Sequence, residues 1–343
     1  MSLLENFNDF NNNRILSVFN QHNYECLINS NNKIRVNANG NANGNGNANG
    51  NANGNGNANG NDNGNEIVIT NYIDSGASAI IFKAVSNNNK QFALKFMSPQ
   101  QEEIIIMRYA TNLVKNNVTP HLIVLYVDMI CQENGEIFDN IYIENPNLIE
   151  RFIKKLKEIN LFIQDGKYSL LIMELFDGDT AKLISPNSGI DPYIKTNIYC
   201  QIVLSLLTFH KYIGLHLDAH YKNFFYKKIK YNDNEFFYYN IFGHDIFIRN
   251  CGYLIVLADY GLSNASSRIT RSRERTLIND YNALLSEINN FYTRIPNVTS
   301  LFNTTGTEEM LIQSIILSLN DIFFIPSTLP HGAIILNKNP YII

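Results

Sequence analysis

Apolar and polar positions alternate over residues 66–97, where "EIVITNYIDSGASAIIFKAV" and "KQFALKFM" read as strands with the turn signal "SNNNK" between them. The period then changes. "PQQEEIIIMRYATNLVKNN" has helical spacing and opens on Pro and acids, as a helix N-terminus should. "HLIVLYVDMI" and "YSLLIMELF" are unbroken apolar runs of strand length. The stretch between them, near residues 131–167, reads as an insertion with its own basic amphipathic helix. From "IKTNIYCQIVLSLLTFHKYIG" onward the pattern is mostly helical, apart from a β-rich stretch around residues 236–258. A sheet-rich part with one helix, followed by a helical part, is an α+β plan in two lobes.

Composition adds a boundary and some exclusions. "NANGNANGNGNANGNANGNGNANGNDNGN", residues 37–65, has nothing to bury and reads as a disordered linker. Residues 1–36 before it suggest a short helix ("RILSVFNQH") and a strand, with no legible role. A 343-residue chain that is 45% hydrophobic can build two cores. The net charge of −4 gives no reason to expect nucleic acid or an acidic membrane as partner. Cys26, Cys131, Cys200 and Cys251 lack CxxC spacing, which argues against zinc and against a disulfide framework. No signal peptide or spanning run is visible, so an intracellular protein is expected.

Candidate chemistry concentrates in "HLDAHYKN", residues 216–223. Three readings are open for it: a metal-ligand cluster, a buried polar patch, or the catalytic loop of a phosphoryl-transfer enzyme. The metal reading is poor, because neighbours on one loop rarely converge on a tetrahedral ion without a distant ligand, and no HExxH or CxxC supplies one. Other segments bear on the choice. "FALKF" sets Lys95 between apolar Leu94 and Phe96 on a strand, and Glu103, or else Glu102, opens the next helix. "YLIVLADYGLS" is an apolar strand ending in Asp-Tyr-Gly. Taken singly, each has a bland reading: an exposed strand Lys, a dipole-favoured helix acid, a core strand.

Taken in order, these segments resemble the protein kinase superfamily over roughly residues 66–290. The resemblance implies a bilobal kinase-like fold, with a β-rich N-lobe over residues 66–176 and a mainly helical, shortened C-lobe over residues 177–343. It implies ATP and Mg²⁺ as cofactors. Asp218 would accept the substrate hydroxyl proton, Asn223 and Asp259 would hold Mg²⁺, and Lys95 paired with Glu103 would hold the ATP phosphates. "YIDSGASAIIFKA" would cover those phosphates, with Gly76 kept and Asp74 and Ala79 in the other glycine places. Ile81 and Ala93 would line the adenine pocket, Met173 would be the gatekeeper, and Glu174 to Phe176 would offer backbone hydrogen bonds. His216 would be structural, Gly261 would allow a turn, and Asp280 would tie down the catalytic loop.

The departures from the family pattern carry implications of their own. Leu217 stands where the family has Arg, so switching by a phosphorylated activation loop is not implied. His220 gives D-x-H, similar to aminoglycoside and choline kinases. A second insertion near residues 226–252 suggests an extra β-hairpin, and the combination resembles Ser/Thr kinases encoded by large DNA viruses, which would place the protein in a host cytoplasm or a virion. No A-P-E follows. Arg268, Arg271, Arg273 and Arg275 read as a solvated basic loop, with an anionic dock as the sharper alternative. The function expected is transfer of the ATP γ-phosphate to a protein Ser or Thr, with an unidentified protein substrate. A pseudokinase or nucleotide-binding interaction module without turnover is the alternative, and a small-molecule kinase a further one.

Overall fold

A computed structural model describes residues 24–28, 33–38, 65–75, 79–86, 89–98, 101–132, 167–241, 243–264, 279–281, 284, 328–337 and 339–343. The "RILSVFNQH" helix, nearly all of the Asn-rich linker, Gly76, the body of the first insertion and the Arg268–Arg275 cluster lie outside these residues. The chain divides into two compact units. One comprises Ser17–Pro99 and Tyr126–Leu175; the other comprises Met1–Leu16, Gln100–Leu125 and Phe176–Ile343.

The first unit is a closed barrel of seven strands. These are β1 (Tyr24–Ile28), β2 (Lys33–Ala38), β3 (Asn65–Ser75), β4 (Ala79–Ser86), β5 (Gln91–Met97), β6 (Leu125–Gln132) and β7 (Lys167–Glu174), in the order β1-β2-β3-β4-β5-β7-β6. Parallel pairing of Cys26 with Cys131 joins β1 to β6 and closes the ring. Closure leaves no sheet edge to be paired by another chain. The alternation seen in the sequence is what fills the interior: Ile67, Ile80, Phe82 and Leu94 are fully or almost fully buried. Phe82 meets Tyr72 and Phe96 edge-on, at centroid distances of 6.1 and 5.4 Å. Strands β1 and β2 pair antiparallel where a single strand is expected, because β1 is completed by β6, a partner far along the chain.

The second unit holds the helices α1 (Gln101–Lys115), α2 (Thr180–Ile184) and α3 (Pro192–Tyr212). Asp191 caps α3 by accepting from the Tyr193 amide at 2.8 Å, and Pro192 occupies the first turn, where a missing N–H costs nothing. From Asn197 to His210 every residue of α3 is buried, which makes it a core helix. Strands β8 (Gly178–Asp179), β9 (Phe224–Lys228) and β12 (Tyr253–Leu257) form one sheet, in the order β12-β9-β8. The predicted extra hairpin is present as β10 (Glu235–Ile241) and β11 (His244–Arg249).

Among its described residues this unit is richer in strand than the mainly helical lobe expected. Two C-terminal strands, β13 (Ile334–Ile335) and β14 (Tyr341–Ile342), pair in parallel with β10. Strands of two residues have no period to read, and they exist only because β10 offers an edge. Among the described residues the protein is thus mixed α/β, with a sheet-rich barrel and fewer helices than strands. Among the described residues no helix is long and apolar enough to cross a membrane.

Candidate functional site

The loop of residues 214–223 follows α3 directly and is built from backbone bonds that its own side chains complete. The His220 amide donates to the Asp218 carbonyl at 3.0 Å, and the Asn223 amide to the His220 carbonyl at 2.8 Å. Asn223 Nδ2 donates to the Asp218 carbonyl at 2.8 Å and to Asp218 Oδ2 at 3.0 Å. Both of its amide protons are thereby engaged, and its Oδ1 keeps acceptor capacity. His220 Nε2 stands 3.5 Å from Asp218 Oδ2. Both of those side chains are near 40% exposed (42% and 39%), so solvent and solute reach them.

The loop is anchored from below. Asp280 Oδ2 accepts from the amides of His216 at 3.1 Å and Leu217 at 3.2 Å, and from His210 Nε2 at 2.9 Å. Burial alone would raise the Asp280 carboxyl, but these hydrogen bonds and the neighbouring imidazoles outweigh it and hold it below its ordinary value. Leu217 is held at φ 66°, an unfavourable conformation for a branched side chain, so the two amides it and His216 give to Asp280 have to offset strain. His216 itself is fully buried and donates from Nε2 to the Ala258 carbonyl at 3.2 Å. Burial lowers its pKa, so the ring stays neutral.

The Asp-Tyr-Gly segment lies against this loop. The Ala258 amide donates to the Asn223 carbonyl at 3.0 Å, so Asp259 begins one residue from a group bonded to Asn223. Leu215 and Asn264 exchange backbone hydrogen bonds at 3.1 and 2.9 Å, closing the loop on the far side. Asp259 is exposed and adopts φ 58°. A Cβ placed on Gly261 would lie 3.6 Å from Asp259 Oδ1 and 3.7 Å from Glu103 Oε2, so both carboxylates border the same small volume.

In the barrel unit Ile81, Ala93, Lys95 and Met173 share one sheet face. Ile81 is opposite Lys95, and Ala93 is opposite Met173, across β4, β5 and β7. Lys95 and Ala93 are two apart and so point the same way. Lys95 is buried, with 7% exposure, and an ammonium held there requires polar partners. Glu174 is buried at the end of β7 and pairs in register with Phe92. Phe176 belongs to the second unit, where its ring stacks on Phe225 at 5.8 Å.

Several residues of the second unit were missed from sequence. His210, near the end of α3, is a hydrogen-bond partner of Asp280; a buried imidazole needs partners, and that need is the signal it carries. Tyr221 donates its hydroxyl to the Leu284 carbonyl at 2.6 Å, and Thr180 donates to the Tyr221 carbonyl at 2.8 Å, fixing the loop's C-terminal half. No residue type or spacing announced those two.

Among the described residues no group of three or more His, Cys, Asp or Glu is placed to hold a metal. Asn223 Oδ1 and the Asp259 carboxylate are oxygen donors of the kind Mg²⁺ takes, one or two from a protein with water and substrate phosphates completing the shell.

No protein-family model and no curated protein matches the chain. Among solved structures the chain matches the BubR1 kinase domain, at 15% identity and a TM-score of 0.38, over 61% of this chain. The match spans half (50%) of that structure's chain. At this level of likeness the functional reading has to come from the site residues themselves.

Proposed function

We propose that the protein is an ATP- and Mg²⁺-dependent phosphotransferase that passes the γ-phosphate to a hydroxyl, with a protein Ser or Thr as the acceptor. The observation that carries this reading is the Asp218–Asn223 pair, in which one side-chain amide orients a solvent-accessible carboxylate and keeps its own oxygen for a ligand. A phosphoryl-transfer loop needs that combination of a base and a hard oxygen donor presented together.

In this reading Asp218 accepts the proton of the incoming hydroxyl, and Asn223 fixes the direction of the carboxylate. Asn223 and Asp259 would hold the divalent ion, which when bound neutralises charge on the phosphates. Lys95 would serve the phosphates from the strand face that also presents Ile81, Ala93 and Met173, an apolar lining suited to adenine. His220 beside Asp218 adds a donor for a transferring phosphate, and its charge depends on pH. Little covalent chemistry is asked of the protein, so positioning and charge neutralisation supply the rate.

The test is transfer of labelled γ-phosphate from ATP to a panel of protein and small-molecule acceptors, with and without Mg²⁺. Mg²⁺-dependent labelling that disappears in Asp218→Asn supports the reading. Labelling of small molecules alone moves the substrate class. Nucleotide binding with no transfer to any acceptor replaces the enzyme with a nucleotide-binding interaction module.

A further inference from the structure

Strand β12 delivers Asp259, and only one of its edges is paired with another strand of its sheet. Its partner β9 takes one side, in the register Leu257↔Phe224 to Tyr253↔Lys228. The other edge is buried, so its backbone groups need partners from elsewhere. Side chains and a loop supply them. Gln201 Oε1 accepts from the Ile255 amide at 3.0 Å, and Gln201 Nε2 donates to the Tyr253 carbonyl at 3.0 Å. The Leu257 amide donates to the His121 carbonyl at 2.8 Å, and the Ile123 amide donates to the Leu257 carbonyl at 3.2 Å. The Ile255 carbonyl is taken by His121 Nδ1 at 2.7 Å.

That last bond leads outward to the C-terminus. A carbonyl only accepts, so Nδ1 of His121 carries the proton and Nε2 of the neutral ring is an acceptor. Nε2 lies 2.7 Å from the Tyr239 hydroxyl, which therefore donates to it. Burial holds the Tyr239 phenol well above its ordinary pKa and keeps that proton in place. Tyr239 sits on β10 directly opposite Tyr341 of β14, their ring centroids 5.3 Å apart, and both rings are fully buried. Tyr212 adds a clasp by donating its hydroxyl to the Ile342 carbonyl at 2.8 Å. One continuous row thus runs from the C-terminal strand through Tyr239 and His121 to the strand that ends at Asp259.

Asp259 makes this row matter. Its left-handed conformation is less favoured than ordinary backbone geometry, though Asp tolerates it better than most residues with a Cβ, so restraint of the backbone on both sides helps to hold it. Ala258 is held by Asn223 and His216, and the Tyr260 hydroxyl donates to the Leu257 carbonyl at 2.8 Å. Freeing the Ile255 carbonyl would loosen β12 and let Asp259 relax toward ordinary backbone geometry.

We propose that His121 is a positioning residue for the Asp259 carboxylate, and that the C-terminal strand β14, acting through Tyr341 and Tyr239, sets how firmly that carboxylate is held. The C-terminal strand is then a built-in modulator of divalent-ion and nucleotide binding. The part concerning ligands rests on the function proposed above; the mechanical part does not.

The experiment has two readouts on the full chain, with variants Tyr239→Phe, Tyr341→Ala, His121→Phe and His121→Gln. Amide exchange at residues 258–261 reads the positioning directly. It is expected to accelerate in Tyr239→Phe, Tyr341→Ala and His121→Phe, with β4 and β5 unchanged, and to recover in His121→Gln, whose amide can both donate and accept. Tyr239→Phe removes only a hydroxyl and covers the case in which Tyr341→Ala fails to fold. ATP affinity with and without Mg²⁺ is the second readout: the Mg²⁺-dependent component should weaken about 10-fold, as for loss of a group that orients a metal ligand, with little change in metal-free binding. Unchanged exchange at residues 258–261 in folded variants overturns the proposal, as does equal weakening with and without Mg²⁺. Accelerated exchange in a protein that binds no nucleotide upholds the positioning and overturns the functional reading instead.

Discussion

Asn223 gives both protons of its side-chain amide to Asp218, one to the backbone carbonyl at 2.8 Å and one to carboxylate Oδ2 at 3.0 Å. The two lie five positions apart in sequence, and the turn of 3₁₀ helix at Tyr221–Asn223 brings them face to face. The pair fixes a carboxylate that is otherwise open to solvent. Orientation without burial is what a group that must receive a proton from an outside molecule requires.

Asp218→Asn is therefore expected to leave the fold intact while lowering phosphotransfer by about 10²–10⁴-fold, the usual contribution of a general base. The replacement amide can still accept from Asn223. Labelled-ATP turnover and thermal unfolding, measured on the same preparation, check both halves. Full turnover in the variant would remove Asp218 from the chemistry.

Asn223→Leu should do the opposite of a clean catalytic variant. Asn223 is buried, and removing its amide leaves the Asp218 carbonyl without that donor, at a cost of about 1–2 kcal/mol. Urea unfolding should show the loss, and Mg²⁺-dependent nucleotide binding should fall with it. Unaltered Mg²⁺ dependence would mean that the Asn223 oxygen holds no ion.

Asp280→Ala should destabilise strongly, by about 2–4 kcal/mol, because it strips an acceptor from the buried His216 amide, the part-buried Leu217 amide and His210. Asp280→Asn keeps an acceptor oxygen and should cost less. Denaturant midpoints of the two variants give the comparison, and equal midpoints would refute it.

Stability should fall as pH drops below about 6.5, the ordinary value for histidine, from which His216 is lowered. Between that value and the lower folded one the unfolded chain binds a proton that the buried ring refuses, so lowering pH favours unfolding. The Asp280 contribution has the same sign at more acidic pH: its carboxylate is held below 3.8, so that stability is lost as pH falls from there through the folded value. Unfolding midpoints plotted against pH should fall more steeply in wild type than in His216→Asn below about pH 6.5; parallel curves would exclude His216 as the cause.

Gly261→Ala should fold normally, since its Cβ would make ordinary contacts of 3.6 Å with Asp259 and 3.7 Å with Glu103. The methyl would nonetheless occupy the space that those two carboxylates border. Weaker Mg²⁺-dependent nucleotide binding with an unchanged unfolding midpoint is the expected pair of results, read by calorimetry. Unchanged binding would place the ion elsewhere.

The sequence alone determined much of this protein. Alternation over residues 66–97 specified β3, β4 and β5, because a half-buried strand must put every second side chain inside. Helical spacing specified α1 and α3, and one short loop specified where Asp218, His220 and Asn223 fall. These are local facts, set by period and spacing. Tertiary structure decided the rest. The closure of β1 on β6 joins residues more than a hundred positions apart. The two-residue strands at the C-terminus carry no period of their own and follow from the free edge of β10. The partners of Asp280 and of His121 lie on separate elements, and a buried polar group records in the sequence only that it needs a partner, never which one.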